Sequence, residues 1–417
     1  MAYQETRTVG YGSRVGNSFK AIGGGFLLFF AATALLWWNE GRFVKQDKML
    51  NEAEGVTEEL ANINRIDPEM DGHLVYATGM TTTEDSIIDR KFDVGVKAVK
   101  LMRSVEYYQE QEHANEERKD KFGGKEEIIT TYTYEKGWTS DPVNGEFKDP
   151  NHKNKNFQLT TAEKEDWQAE KVKFGAFELN DYQIGCIHGD VPVELQIDSA
   201  RLVAMNKDAQ QVMQRQVGGN CDSVKLVHVS GNQIYYGVSP SSPAIGDVRI
   251  TWTKVMPGKV SIIARQKGNT FTSFKAKNGK TFQSLVMGTK AADEIYAGAH
   301  SSNKTLKWIL RFVGVMLVIG GLKMIFGFIE AILKVVPFLA NILGWGVGLV
   351  CTVVGVVWSL IIIALAWLFY RPLIGIILLA IAGFLIWVFA FKGKEKLKEL
   401  ANRNKTKAPE TIPTNNV

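Results

Sequence analysis

Apolar residues are concentrated in two regions of the chain. Residues 21–38 form one almost wholly apolar run, and residues 308–391 form a second, largely apolar region. Between these regions lies a long stretch of ordinary mixed polar sequence. Because the hydrocarbon core of a bilayer is about 30 Å thick and takes about 20 helical residues to cross, this pattern predicts a membrane protein with one large soluble domain.

The lengths of the apolar runs predict four transmembrane helices, one N-terminal and three C-terminal. They are predicted at residues 21–38, 306–328, 344–370 and 373–391. Arg371 and Pro372 separate the last two, since proline disfavours helix in the residue before it and a guanidinium is costly in hydrocarbon but not at the interface. These two residues are predicted to form the turn of a transmembrane hairpin, because a single kinked helix over the same stretch would be far too long for a bilayer.

The first apolar run has an alternative interpretation as a cleaved signal peptide. Ala32, Thr33 and Ala34 resemble the small residues of a cleavage site. The run continues to Trp37 and Trp38, however, and paired tryptophans are typical anchors at the membrane interface. A membrane anchor is favoured, although the topology alone is compatible with both.

Positive charge flanking the spans predicts their orientation. The N-terminal tail, 1–20, and the C-terminal tail, 392–417, both carry more basic than acidic residues, which places both termini in the cytoplasm. The acidic segment 39–305 is then the extracytoplasmic or lumenal domain. Lys307 and Arg311, where the chain re-enters the membrane, are expected to extend outward to the headgroups.

Charged residues make the second span the least regular one. Lys323 lies inside its predicted end, and the amphipathic segment 329–343 that follows carries Glu330 and Lys334. Two interpretations stay open. Lys323, Glu330 and Lys334 form a polar site inside the helix bundle, or they face headgroups as part of an interfacial helix.

The soluble domain is predicted to be α+β and mostly antiparallel β. Alternating residues at 99–109 and 128–138, rich in β-branched and aromatic side chains, flank a charged loop and predict a long β-hairpin. Turn pairs such as Gly-Asn and Pro-Gly predict a meander of further strands. These strands are expected at 224–229, 234–237, 248–253, 260–265 and 270–274. Helices are predicted at 41–54 and 199–216.

Motifs of catalysis or ligand binding are scarce. The six histidines are scattered, and the chain has no phosphate-binding loop, no H-E-x-x-H and no G-x-S-x-G. Cys186 and His188 lack a second pair of ligands at zinc spacing. The sequence therefore assigns no catalytic, cofactor-binding or metal-binding residue, and it indicates no nucleic-acid partner.

Small residues have structural interpretations that stay open. Gly344 and Gly348 form a small-xxx-small pair that permits close helix packing, or they loosen the turn before the third span. A disulfide between Cys186 and Cys221 is one interpretation if the soluble domain faces an oxidising compartment; two free thiols are the other. Cys351, inside a span, is expected to pack as a small hydrophobe.

Several short stretches make the chain resemble a known family. They are NEGR from Asn39, AVKLMRSVEYYQ from Ala98, YTYEKGW from Tyr132, HKNKN from His152, IGDVRITW from Ile245, SIIARQKG from Ser261 and WLFYRPL from Trp367. In this order, with one N-terminal and three C-terminal spans, they resemble LUMA, the transmembrane protein 43 family. The family is not defined by catalytic residues, so the resemblance assigns none.

The resemblance implies a multispan protein that self-associates and organises membrane protein complexes. In animals the family is expected in the endoplasmic reticulum and inner nuclear membrane, with lamin and emerin partners. The short N-terminal tail favours a bacterial relative, for which the plasma membrane is the expected location. The Lys-rich C-terminal tail is a further difference from the animal pattern. The leading hypothesis is a non-enzymatic membrane scaffold without cofactors that forms homo-oligomers and binds other membrane proteins. The alternatives are an oligomeric channel or transporter component that uses Lys323 and Glu330, and an enzyme with a site in the soluble domain.

Overall fold

The structure is a computed structural model that describes residues 3–333 and 337–371, with side chains for 3–332 and 346–371. The chain divides into two units. The sheet unit comprises the described residues up to 19, residues 45–304 and the described part of 328–344. The helix unit comprises residues 20–44, residues 305–327 and the described residues from 345 onward.

The helix unit is built from parts of three long helices. In the described residues the helices are α1 Tyr11–Val56, α2 Asp181–Gly185, α3 Ser199–Val217, α4 Ala292–Leu333 and α5 Pro337–Tyr370. Of these, α1, α4 and α5 are long and apolar enough to cross a membrane. They contain the spans predicted at 21–38, 306–328 and 344–370, so three candidate membrane helices are confirmed. The fourth predicted span, 373–391, and the tail 392–417 lie outside the described residues.

The long helices extend beyond the predicted spans. The helix predicted at 41–54 is continuous with the first span, because residues 38–54 contain no proline and mostly good helix formers. Within the segment 329–343, the described residues place the end of α4 at Leu333 and the start of α5 at Pro337. Proline suits the first turn of a helix, where its missing N–H is not needed.

The sheet unit contains short strands and one exceptionally long hairpin. The strands are β1 Tyr3–Val9, β2 Thr57–Glu59, β3 Leu74–Thr82, β4 Ser86–Asp89, β5 Val94–Lys97, β6 Lys100–Asp120, β7 Glu126–Thr139, β8 Glu165–Gln168, β9 Lys173–Phe174, β10 Phe177–Glu178, β11 Val191–Pro192, β12 Val227–Ser230, β13 Gln233–Tyr236, β14 Val248–Val255, β15 Lys259–Lys267, β16 Thr270–Thr272, β17 Phe274–Lys275, β18 Thr281–Phe282 and β19 Ser284–Met287. A 3-10 turn spans Pro68–Met70.

These strands form two large sheets and two small ones. The eight-stranded sheet has the order β1-β7-β6-β14-β13-β12, with β11 beside β14 and β8 beside β6. The seven-stranded sheet has the order β19-β15-β16-β10-β9-β3-β2, with β15 also beside β3. Strands β4 and β5 form one small pair and β17 and β18 the other. In the described residues the strand pairings are antiparallel except β2 with β3 and β10 with β16, which confirms a mostly antiparallel domain.

The predicted hairpin is confirmed and is longer than predicted. Strand β6 has 21 residues and β7 has 14, and they pair along the full length of β7. Gly123 and Gly124 form the turn with φ of +81° and +75°, in the left-handed region that glycine adopts without steric cost. Helix α3, Ser199–Val217, confirms the helix predicted at 199–216.

The predicted meander is only partly correct. Strands β12, β13 and β14 are consecutive neighbours. Strands β14 and β15 follow one another in the chain but pair with β6 and β3 in different sheets. The pair Pro257 and Gly258 therefore marks a crossover between sheets and not a hairpin. Turn residues indicate that the chain changes direction, but long-range pairing decides which sheet it joins.

Side chains of both large sheets meet in one core around a buried ion pair. Trp252 is the largest fully buried side chain, and its indole N–H donates to Asp89 Oδ2 at 3.0 Å. The same oxygen accepts from Arg103 Nη1 at 2.7 Å. Arg103 also donates to the carbonyl of Glu163 and the carboxylate of Glu165. Both charges are thus paired and hydrogen-bonded, as their burial requires.

The N-terminal segment is a strand of the eight-stranded sheet and not a tail. Strand β1 pairs with β7 over seven residue pairs. Next to it, Arg14 donates to the carbonyl oxygen of Gly124 at 3.1 Å and lies 2.7 Å from Asp120. The prediction that residues 1–20 and 39–305 lie on opposite sides of the membrane conflicts with this pairing, because a bilayer cannot lie between two hydrogen-bonded strands.

We expect β1 and the hairpin turn to react from the same side of a membrane. Thr8 and Phe122 are both exposed. Single cysteines at these positions, in a chain whose own three cysteines are replaced by serine, should show the same labelling by a membrane-impermeant maleimide in sealed vesicles. Vesicles opened with detergent control for intrinsic reactivity. Labelling from opposite sides would contradict the pairing and restore the predicted tail.

Candidate functional site

A buried carboxylate lies in the apolar helix unit. Glu40, in α1, is 1% exposed. Arg311, in α4, donates from Nε to Glu40 Oε1 at 2.6 Å and from Nη2 to Glu40 Oε2 at 2.9 Å. This is the bidentate geometry to which a guanidinium is suited. Since neither charge is stable alone in an apolar surrounding, the pair holds α1 to α4.

The third helix of the unit binds the same carboxylate. Trp367, in α5, donates its indole Nε1–H to Glu40 Oε2 at 2.6 Å. The guanidinium carbon of Arg311 lies 5.5 Å from the centre of the Trp367 ring and 4.8 Å from that of Trp308, within the range of cation–π attraction. One carboxylate therefore joins three helices.

Neighbouring residues complete a polar cluster around this pair. Asn39 is fully buried, and its Nδ2 donates to the backbone oxygen of Lys307 at 3.0 Å. The Lys307 ammonium lies 3.9 Å from the centre of the Phe43 ring, and the Arg371 guanidinium carbon lies 5.3 Å from it. We call this set the Glu40 cluster: Asn39, Glu40, Lys307, Arg311 and Trp367.

The Glu40 cluster corrects one prediction about the membrane ends. Lys307 and Arg311 were expected to extend outward to the headgroups, but they are only 8% and 9% exposed. Their contacts lie on α1, at Phe43 and Glu40. An acidic partner on a packed helix stabilises a guanidinium by ion pairing and hydrogen bonds together, so Arg311 turns inward.

Glycines allow the helices of the unit to approach closely. A Cβ at Gly25 would lie 2.9 Å from the carbonyl oxygen of Gly321, and a Cβ at Gly321 would lie 2.9 Å from the carbonyl oxygen of Gly25. Because both obstacles are backbone atoms, no side-chain rotation relieves the clash. Next to Glu40 in α1, a Cβ at Gly41 would lie 2.5 Å from the Tyr370 ring. This is the close approach that small residues permit in membranes.

The glycine pair named from the sequence, Gly344 and Gly348, is only partly described. A Cβ at Gly348 would meet no atom within 4 Å in the described part of the chain. The side-chain surroundings of Gly344 lie outside that part. Close packing instead occurs at Gly25 and Gly321, which the sequence analysis did not single out.

The predicted intramembrane charges lie outside the Glu40 cluster. Lys323 is exposed on the helix unit, and Glu330 is half-buried. Lys334 and Pro372 lie outside the described residues. The chain bends at Arg371 directly after α5, where the Arg371 N–H donates to the carbonyl of Trp367 at 2.7 Å.

The cysteines are unbonded. Cys186 and Cys221 carry free thiols, so the disulfide that the sequence left open is not formed in this structure. Cys186 ends the short helix α2, whereas Cys221 is buried after α3. Cys351 is buried among apolar side chains of the helix unit, in agreement with the packing role expected for it.

Other stretches that carry the family resemblance meet along the β6–β7 hairpin. Arg249 of β14 donates from Nε and Nη2 to the two carboxylate oxygens of Glu106. Its guanidinium carbon lies 4.3 Å from the centre of the Trp138 ring. These contacts join residues from three of the quoted stretches, which lie on the adjacent strands β7, β6 and β14. Packing within the sheet therefore accounts for these residues.

A second set of contacts fastens the loop after β7 onto the same hairpin. The Tyr134 and His152 rings stack with centres 4.0 Å apart, and His152 Nδ1 lies 3.0 Å from Glu110 Oε1. The Tyr134 hydroxyl donates to Glu112 Oε2 at 2.7 Å. Burial and this hydrogen bond raise the pKa of Tyr134 to about 12, so the hydroxyl keeps its proton and its role here is structural.

The described residues contain no arrangement that indicates catalysis or a metal. No group of three or more His, Cys, Asp or Glu side chains in that part of the chain could hold a metal ion. An open cleft of about 770 Å³ is lined by residues 93–97, residues 192–196 and Lys254, and this lining includes no Ser, Cys or His. No catalytic residue can therefore be assigned among the described residues for the enzyme hypothesis.

The Glu40 cluster was missed by sequence reasoning, although its parts were noted separately. Asn39 and Glu40 belong to one quoted stretch and Trp367 to another, while Arg311 was treated as an interfacial charge. The available signal was an acidic residue directly after one span and basic residues directly before the next. Only helix packing shows that these residues share one point in space.

Comparison with known proteins gives one family. The profile of the family described as Transmembrane protein 43 matches residues 107–372. The chain is 28% identical to Transmembrane protein 43 of Rattus norvegicus over 361 residues, 84% of each chain. It is 26% identical to that of Homo sapiens over 370 residues, 86% of each. It is 25% identical to the Drosophila melanogaster homolog over 386 residues, 87% of this chain and 92% of the homolog. No solved structure is a significant match.

Neutralising Glu40 should destabilise the helix unit. Glu40→Gln leaves the buried Arg311 without a counter-charge, which costs about 3–5 kcal/mol for a buried pair. The thermal midpoint of the detergent-solubilised protein, measured by the loss of its monodisperse elution peak, should fall well below that of the wild type. Glu59→Gln, at an exposed position, is the matched control.

The pairing itself is tested by a double variant. Glu40→Leu with Arg311→Leu removes both charges and should recover much of the stability that either single variant loses. A Glu40→Gln protein as stable as the wild type would show that the ion pair does not hold the unit together.

Two adjacent glycines of α4 should respond differently to alanine. A Cβ at Gly321 meets backbone atoms, whereas at Gly320 the nearest atom is the Leu28 side chain at 3.8 Å, an ordinary contact. Gly321→Ala should therefore cost about 1–3 kcal/mol by overpacking, and Gly320→Ala should be neutral in the same thermal assay. Equal effects at the two positions would contradict the close approach of α1 and α4.

Proposed function

Since the chain belongs to the transmembrane protein 43 family, we propose that it is a non-enzymatic membrane scaffold that self-associates and organises other membrane proteins. The family names no reaction, and no catalytic residue is assigned to this chain. The Glu40 cluster is the observation that carries the proposal. It holds α1, α4 and α5 of the helix unit in one arrangement.

The chemistry of the Glu40 cluster favours support over transport. A transport site uses intramembrane charges to bind an ion or substrate, and these charges exchange partners during the cycle. The two oxygens of Glu40 instead accept three hydrogen bonds, from Arg311 and Trp367, within the unit. A carboxylate held on three sides in this way stabilises one helix arrangement.

The proposal includes a location. The Lys-rich tail 392–417 is cytoplasmic, as the distribution of basic residues favours. The membrane is the bacterial plasma membrane, or the endoplasmic reticulum and inner nuclear membrane in an animal cell. Its partners are the lipid bilayer, further copies of the chain and other membrane proteins.

Reconstitution separates the scaffold from the channel hypothesis. The fluorescently labelled full-length protein is placed in liposomes at low density, and photobleaching steps and ion flux are measured on the same preparation. A scaffold should show more than one copy per assembly and no flux. Lys323→Ala should change neither, and Lys267→Ala, at an exposed lysine of the sheet unit, is the matched control.

Two results would overturn the proposal. Single-step bleaching at every density would show that the protein does not self-associate. An ion conductance that Lys323→Ala abolishes and Lys267→Ala preserves would favour the channel.

A further inference from the structure

Strand β1 has one unpaired edge. It is the outer strand of the eight-stranded sheet, bound to β7 on its inner side, and the side chains of residues 4–8 are exposed. In the described part of the chain no other strand pairs with its outer side. Natural proteins usually protect such edges with charged side chains, above all lysine, with proline or with a bulge. The sequence YQETRTV contains no proline and no lysine, and its two charges, Glu5 and Arg7, are of opposite sign. The edge is therefore a template for another strand.

The sequence of β1 is complementary to itself when two copies run antiparallel. If Thr6 of one copy lies opposite Thr6 of the other, Glu5 lies opposite Arg7 on both sides of the centre. Tyr3 then lies opposite Val9, and the remaining pair is Gln4 with Thr8. Opposite charges and an aromatic beside a β-branched residue are the favourable cross-strand pairs.

Charge selects this register over its neighbours. Shifting one copy by two residues in either direction places Glu5 opposite Glu5 or Arg7 opposite Arg7, and like charges directly opposite each other are destabilising. Shifts by one residue would exchange the two faces of the strand. In the described residues Arg7 has no ion-pair partner, and Glu5 accepts only a 3.3 Å hydrogen bond from Tyr132.

We propose that the outer edges of β1 from two copies of this chain pair antiparallel around Thr6, so that the eight-stranded sheet continues across a two-fold axis. The partner is thus a second copy, and the interface uses the same patch on both copies. The inference deepens the proposed function, on which it rests, because it names the surface through which the scaffold self-associates.

The interface depends on the membrane for its stability. One strand pair is smaller than the roughly 1,200–2,000 Å² that stable interfaces bury. Confinement of both copies to one bilayer raises their effective concentration, as linking does for tethered modules. The test therefore uses the full chain in lipid vesicles and not an isolated domain.

Cysteine cross-linking tests the register. Residues directly opposite in an antiparallel pair have Cα atoms about 4.5–5.5 Å apart, within the range of a disulfide. In a chain without its own cysteines, Thr6→Cys should give a cross-linked dimer under mild oxidation. Thr8→Cys should give little, because its opposite residue is Gln4 and not itself.

Charge reversal tests the pairing in the Thr6→Cys background. Glu5→Arg places two arginines opposite each other on each side of the axis, and Arg7→Glu does the same with two glutamates. Either should lower the cross-linked fraction by at least about fivefold. The double variant with both substitutions exchanges the charges and should restore it, which simple unfolding of β1 would not do.

The outcomes separate this inference from the proposed function. Assemblies in the photobleaching assay without preferential cross-linking of Thr6→Cys would overturn the β1 interface and leave the scaffold. Failure of the double variant to recover cross-linking would also overturn the interface. Absence of assemblies at every density would remove both.

Discussion

The ion pair between Glu40 and Arg311 is the constraint on which the helix unit depends. A lone carboxylate or guanidinium in an apolar surrounding is strongly destabilised. Removing either residue therefore leaves the other as an unpaired buried charge. Their bidentate contact, at 2.6 and 2.9 Å, fixes the rotation of α1 and α4 about their axes. The indole of Trp367 then adds α5 through the same carboxylate. Apolar packing alone specifies such rotations weakly, because many helix faces are equally apolar.

Glycine makes this arrangement sterically accessible. The backbones of α1 and α4 approach at Gly25 and Gly321 without space for a Cβ, and Gly41 leaves room for the Tyr370 ring beside the Glu40 cluster. Dispersion contacts between close backbones and one buried hydrogen-bonded charge pair thus act together. A helix bundle fixed both by close backbone packing and by a buried ion pair suits a supporting role. A transport role would require the helices to rearrange.

The sheet unit also contains a buried ion pair whose charges are hydrogen-bonded. Asp89 and Arg103 are buried beside Trp252 with their hydrogen bonds satisfied, while most other ion pairs of the unit lie at its surface. The long β6–β7 hairpin carries much of that surface and binds the N-terminal strand. An exposed strand edge, unlike a satisfied core, retains hydrogen-bonding groups for a partner. The helix packing and the proposed association through the β1 edge therefore involve separate elements of one chain.

The sequence by itself determined the apolar spans, the long hairpin, the α3 helix and the family, because these depend on local periodicity, turn residues and collinear stretches. It also supplied every residue of the Glu40 cluster without showing that they meet. Tertiary structure decided that Arg311 turns inward to Glu40, that β14 and β15 enter different sheets, and that residues 3–9 are a strand. Each of these depends on a contact between residues far apart in the chain, and hydrophobic period and turn chemistry carry no information about which distant partner a charge or a strand edge will find.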